Sequence, residues 1–117
     1  MLISRTFLTR IAPIWVLVLA LGSFLPDHAK GAIGTHSLHR LYHLISFGST
    51  AYLLSLIARD TRERLAAASF VIFLGLTLEF FQHIVFHIPL EWWDVRDDTL
   101  GVLAAALLIR LNPLKVS

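Results

Sequence analysis

Apolar residues fall along this chain in four long runs, parted by short polar stretches. The first covers about residues 7–25, with IAPIWVLVLALGSFL at its heart. Arg5 and Arg10 precede it, Pro13 falls near its first turns where a missing N–H is tolerated, and Pro26 stops it. The second run covers about 38–58, the third about 65–88 with Pro89 at its end, and the fourth about 95–111. About twenty residues of helix cross the hydrocarbon core of a bilayer. The pattern therefore predicts an all-α, four-helix transmembrane bundle, a single domain over residues 1–117. Between the runs, PDHAKGAIGTHS (26–37) reads as a flexible turn, with His28 and His36 as solvated loop residues. RDTRER (59–64) reads as a second, arginine-rich loop.

Composition agrees with a membrane protein. Hydrophobic residues make up 56% of the chain and charged residues 15%, against roughly a quarter charged in soluble domains. The basic start, apolar run and small residues Ala29 and Gly31 would also suit a signal peptide. Cleavage there would leave three spans and discard about a quarter of the chain, so a retained helix is expected. The net charge of +2 does not point to nucleic acid, because the arginines stand at the ends of apolar runs. With no cysteine, disulfide frameworks and thiolate chemistry are excluded. Arg5, Arg10, Arg59, Arg62, Arg64, Arg110 and Lys115 fall on one side of the predicted bundle; Lys30, Arg40 and Arg96 fall on the other. By the positive-inside rule both termini are cytoplasmic, and the first and third loops face outward.

That topology gathers polar residues at the outer face. The start of the second run brings His39, Arg40 and His43. The stretch from Gly75 to Ala105 brings Glu79, Gln82, His83, His87, Glu91, Asp94, Arg96, Asp97 and Asp98. Ionisable groups within a membrane are costly and mark functional sites. Glu79, Gln82 and His83 share one helical face, with Glu79 about three turns before Pro89. A carboxylate so deep should pair with a cation: Arg40 is the expected partner and His43 the second choice. Such a pair could equally serve only to fix helix register.

His39/His43 and His83/His87 stand at i, i+4, a spacing that allows metal ligation on a helix face. There is no HExxH, and these spacings alone assign no metal or cofactor. Ser46, Ser49 and Ser55 have no nucleophile elbow around them and suit helix packing. Asp94 is placed to cap the fourth helix, and Asp97 and Asp98 would complement its dipole. Trp92 and Trp93 read as interfacial anchors. Gly101 is expected as a structural glycine at the turn into the fourth helix. With Ala104, Ala105 and Ala106 it permits tight helix contact, as do Gly48, Ser49 and Ala51 on the second.

In order along the chain, the polar motifs are His39-Arg40-Leu41-Tyr42-His43, Glu79-Phe80-Phe81-Gln82 and Asp94-Val95-Arg96-Asp97-Asp98-Thr99-Leu100-Gly101. This pattern resembles the VanZ-like family of small bacterial membrane proteins, over about residues 24–108. Family members show Asp-Lys-x-x-His, Glu-x-x-Gln and Asp-x-x-x-Asn-x-x-Gly at these places. Here His39 stands for the aspartate and Asp98 for the asparagine, and the family's third-loop arginine has no clear counterpart. The resemblance implies a multi-pass protein of the bacterial cytoplasmic membrane that affects the cell envelope or sensitivity to glycopeptides such as teicoplanin. The candidate site is Arg40, His43, Glu79, Gln82, His83, Asp94 and Asp98. Its expected partners are the lipid bilayer and an anionic or lipid-linked envelope ligand. Three functions fit: a ligand-binding membrane protein, an intramembrane enzyme using Glu79 as acid or base with His43 or His83 as proton partner, or a structural bundle.

Overall fold

The computed structural model describes residues 2–24, 36–111 and 114–117. Among the described residues there are four helices: α1 (Arg5–Gly22), α2 (His36–Ile57), α3 (Thr61–Phe86) and α4 (Trp92–Leu111). The expected first loop, with Pro26, His28, Ala29, Lys30, Gly31 and Gly34, lies outside the described residues. His36 is the first residue of α2 rather than part of that loop.

Helix boundaries follow capping chemistry more closely than hydropathy. Ser4 caps α1 by accepting the Phe7 N–H at 3.4 Å. Because α1 starts at Arg5, Pro13 lies inside the helix instead of in its first turns. It deprives the Thr9 carbonyl of its usual helical partner. α3 begins at Thr61, about four residues before the apolar run. The Asp60 carboxylate accepts the Glu63 N–H at 2.8 Å, and the Glu63 carboxylate accepts the Arg59 N–H at 2.6 Å, a variant of the reciprocal capping box. The arginine loop therefore shrinks to Ala58–Asp60. α3 ends with His87 in the left-handed conformation (φ 53°), before Ile88, which Pro89 keeps out of the helical region.

α2 packs against α1, α3 and, most extensively, α4. The α2–α4 crossing is set by glycines. A methyl group on Gly101 would overlap the Leu44 carbonyl oxygen, and one on Gly48 would stand 3.1 Å from the Gly101 oxygen. Gly101 thus lies within α4 at a backbone-to-backbone contact, not at a turn as expected. Phe47, Ala51, Val71, Leu78, Val102 and Ala105 form the core between α2, α3 and α4. Trp15 of α1 donates its indole N–H to the Thr50 hydroxyl at 2.9 Å.

The helices alternate in direction. Ile3 and Val116 form a parallel bridge, with the Ser117 N–H bonding the Ile3 oxygen at 2.9 Å, and Arg5 bonds the Ile57 carbonyl. One end of the bundle therefore carries the start of α1, the end of α2, the start of α3 and the end of α4. The polar residues predicted to converge lie at the other end.

Large apolar side chains cover the outside: Ile14, Leu21, Leu65, Phe73, Leu103 and Leu111 are each more than half exposed. The bundle measures 44 × 24 × 22 Å, and a bilayer with its headgroup regions is about 40–45 Å thick. α1 and α3 are long and apolar enough to cross a membrane, with only 17% and 28% of their apolar windows buried. α2 and α4 do not reach that apolarity, because their first turns are polar.

Candidate functional site

The polar end of the bundle is built from two matched stripes. On α2, His39, His43 and Phe47 recur every four residues and share a face. The His39 and His43 rings meet edge-on with centroids 4.7 Å apart, and His43 stacks on Phe47 at 6.1 Å. On α4, Asp94, Asp98 and Gly101 fall on one stripe. The missing side chain at Gly101 lets α4 approach α2 closely enough for short aspartates to reach the imidazoles.

His43 lies between two carboxylates. Its Nδ1 is 2.7 Å from Asp98 Oδ1 and its Nε2 is 3.5 Å from Asp94 Oδ2. His39 Nε2 is 3.1 Å from Asp94 Oδ1 and 4.0 Å from Glu91 Oε2. Asp94 and Asp98 are buried, whereas the His39 and Glu91 side chains are 38% and 52% exposed. The cluster is therefore closed on the core side and open on the side of His39 and Glu91.

Next to it, Asp97 is 1% exposed and draws two arginines. Arg40 Nε is 3.4 Å from its Oδ2 and Arg96 Nη2 is 3.1 Å from its Oδ1. Arg96 also lies over the Trp93 ring, 4.5 Å from its centroid. Arg40, Trp93, Asp94, Arg96 and Asp97 line a polar cleft of about 340 Å³.

Several expectations change. Asp94 is the third residue of α4 and does not cap it. The Glu91 carbonyl accepts the Asp94 N–H at 3.0 Å, so the helical turn starts before Asp94 and its carboxylate is turned to the histidines. The expected Arg40–Glu79 pair does not form. Arg40 goes to Asp97, while Glu79 accepts the Glu91 N–H at 2.7 Å. An amide at a helix start has no intrahelical acceptor, and that need is what Glu79 meets across the α3–α4 connection. Gln82 is buried and donates to the Ser23 carbonyl, fastening the end of α1. His83 Nδ1 bonds the Ile88 carbonyl and so closes the end of its own helix.

Of the predicted site residues, His43, Asp94 and Asp98 come together, and Arg40 stands beside them on Asp97. Glu79 borders the cluster through Glu91. Gln82 and His83 are engaged in holding helix ends. The predicted set omitted His39, Glu91 and Asp97. The i, i+4 spacing of His39/His43, facing the same spacing of Asp94/Asp98 at one end of the bundle, was the available signal for the first. Chemically, the cluster can hold a proton between imidazole and carboxylate or accept a cation among its donors. No family model, curated protein or solved structure matches the chain.

Proposed function

We propose that this chain is a four-span protein of the bacterial cytoplasmic membrane, VanZ-like in type. Its termini are cytoplasmic, and its α2–α4 polar cluster engages an anionic or lipid-linked envelope ligand at the outer face. The effect is on envelope properties or glycopeptide sensitivity. The observation that carries this reading is the cluster of buried aspartates and partly buried histidines at one end of a bundle whose outer surface is apolar. Intramembrane polar groups without a structural need are retained for function. The opposite end holds Arg5, Arg59, Arg62 and Arg64, which supports a cytoplasmic position. Exposed Trp92 and Trp93 at the cluster end suit a membrane interface. Arg40 and Arg96 at the rim of the cleft keep about half their side-chain surface open, and guanidinium groups suit a phosphate-bearing headgroup.

The His43–Asp98 contact also favours a second reading, an intramembrane enzyme acting on a lipid-linked or headgroup substrate. An imidazole oriented by a buried carboxylate at 2.7 Å has the geometry of a general base and its orienting group.

The test is complementation of a deletion strain, scored by teicoplanin and envelope-stress survival at matched membrane abundance. Reporter fusions at residue 117 should score as cytoplasmic. His43→Ala and Asp98→Asn should insert normally and lose the phenotype. Exported reporters, or full complementation by both variants, would refute the reading.

A further inference from the structure

We propose that His39, His43 and Asp94 form a binding site for a divalent transition-metal ion, with Glu91 at its open side.

The donor atoms come from two helices. Each of the three residues can offer one atom such that all lie within 4.8 Å of one another. Four-coordinate zinc with bonds near 2.0–2.1 Å places its ligand atoms about 3.3 Å apart. The Asp94 carboxylate oxygens stand 3.1 Å from His39 Nε2 and 3.5 Å from His43 Nε2. These contacts use different Asp94 oxygens, and one atom from each residue fits within 4.8 Å, so side-chain rotations that draw the three donors together would close the shell. Two imidazoles and one carboxylate, with open positions, are a donor set for zinc or iron(II).

The outer shell points the same way. Asp98 is buried and lies 2.7 Å from His43 Nδ1. A carboxylate accepting the Nδ1 proton leaves the Nε2 lone pair directed at Asp94. With His43 neutral and Asp94 ionised, that arrangement sets a lone pair against a carboxylate. With one, it is the carboxylate–histidine–metal relay that orients ligands in metal sites.

Charge provides the third argument. Arg40 and Arg96 both go to Asp97. Among the described residues, the ion-pair partners of Asp94 and Asp98 are the two histidines. A divalent ion would neutralise this carboxylate excess without requiring both imidazoles to be protonated. The partly exposed His39 and Glu91 give the ion an approach and leave room for a water or for an anionic group of a ligand.

The experiment uses the full chain, purified in detergent and stripped with a chelator, with Co²⁺ and Zn²⁺ as probes. One Co²⁺ per chain should bind with the visible spectrum of a low-coordinate ion, and Zn²⁺ should displace it. His39→Gln and His43→Ala should each lower affinity by more than about 100-fold. Asp98→Asn, which keeps all the ligands, should lower it by about 10–100-fold. His87→Ala, an exposed histidine at the same end, should leave it unchanged. Circular dichroism and monodispersity identify folded variants; His39→Gln, at the exposed rim, decides the matter if the buried variants misfold. Wild-type protein that binds no stoichiometric Co²⁺, or binding that survives in folded His39→Gln, overturns the proposal in favour of a hydrogen-bonded imidazolium network. This titration does not depend on the envelope reading. Metal binding beside an absent envelope phenotype would refute that reading alone, and an intact phenotype without metal binding would refute this one alone.

Discussion

Gly101→Ala separates two opposing effects on one residue. In a helix interior, alanine is about 0.8–1.0 kcal/mol more favourable than glycine, so propensity alone predicts stabilisation. Position predicts the reverse. The new methyl would overlap the Leu44 carbonyl oxygen and stand 3.1 Å from the Gly48 nitrogen. Both obstacles are backbone and cannot rotate aside, so α2 and α4 must part by roughly an ångström to restore ordinary van der Waals separation. Overpacking of this kind costs about 1–3 kcal/mol or more, and the α2–α4 contact is the largest in the bundle. Parting also stretches the 2.7 Å His43–Asp98 contact past hydrogen-bond length. The net expectation is a loss of about 1–2 kcal/mol together with loss of the His43–Asp98 hydrogen bond. Gly48→Ala, whose methyl would meet the Gly101 oxygen at 3.1 Å, needs only a few tenths of an ångström and should cost less. The assay is thermal or detergent denaturation of the solubilised chain followed by circular dichroism. Gly101→Ala at or above wild-type stability would mean that the two backbones do not meet at this position.

Further outcomes concern Arg40, Glu79 and Gln82 at the polar end. Arg40→Gln should destabilise by about 1–2 kcal/mol, less than a fully buried pair would lose, because Arg40 is half exposed and Arg96 still serves Asp97. Two double-mutant cycles should show coupling of Arg40 with Asp97 and none with Glu79, measured by denaturation midpoints of wild type, the single mutants and the double mutants. Glu79→Gln keeps an oxygen for the Glu91 N–H and should be nearly neutral, whereas Glu79→Ala should cost about 1–3 kcal/mol, read by the same melts. Gln82→Ala should cost about 1 kcal/mol and speed proteolysis near Ser23, since the end of α1 loses its tie to α3.

The four helices of the described residues and the convergence of their polar ends were legible in the sequence, because both depend on where apolar runs begin and end. What the sequence could not show was which side chain answers which. Arg40 and Glu79 looked complementary by sign and level. Their partners were decided instead by local needs: a helix-start amide at Glu91 for Glu79, and a buried carboxylate at Asp97 for Arg40. Asp94 looked like a cap because hydropathy places the start of the fourth helix at Val95. The helix begins at Trp92, and that shift moves Asp94 from the cap to the interhelical face. Gly101 was recognisable as a small contact residue, but its opposition to Leu44 and Gly48 required the α2–α4 register.

The same register bears on the membrane. Averaged over their length, α2 and α4 are too polar to be recognised as spans. An average, however, has no direction. Asp94, Asp97 and Asp98 of α4 are buried, as are Thr50 and Ser55 of α2, while Leu100, Leu103, Leu107, Leu108, Leu41 and Ile45 of the same helices are exposed. These helices also bury Phe47, Ala51, Val102, Ala105 and Ile109, so what departs from the soluble pattern is the three buried carboxylates beneath an apolar outer surface. In lipid it is the economical arrangement, since charges stay rare and face one another while leucines meet the acyl chains. Within a membrane, close crossing through glycine would do what burial of apolar surface cannot do between helices already in an apolar solvent. The polar residues that lower the apolarity of α2 and α4 include the ones that face one another between these two helices.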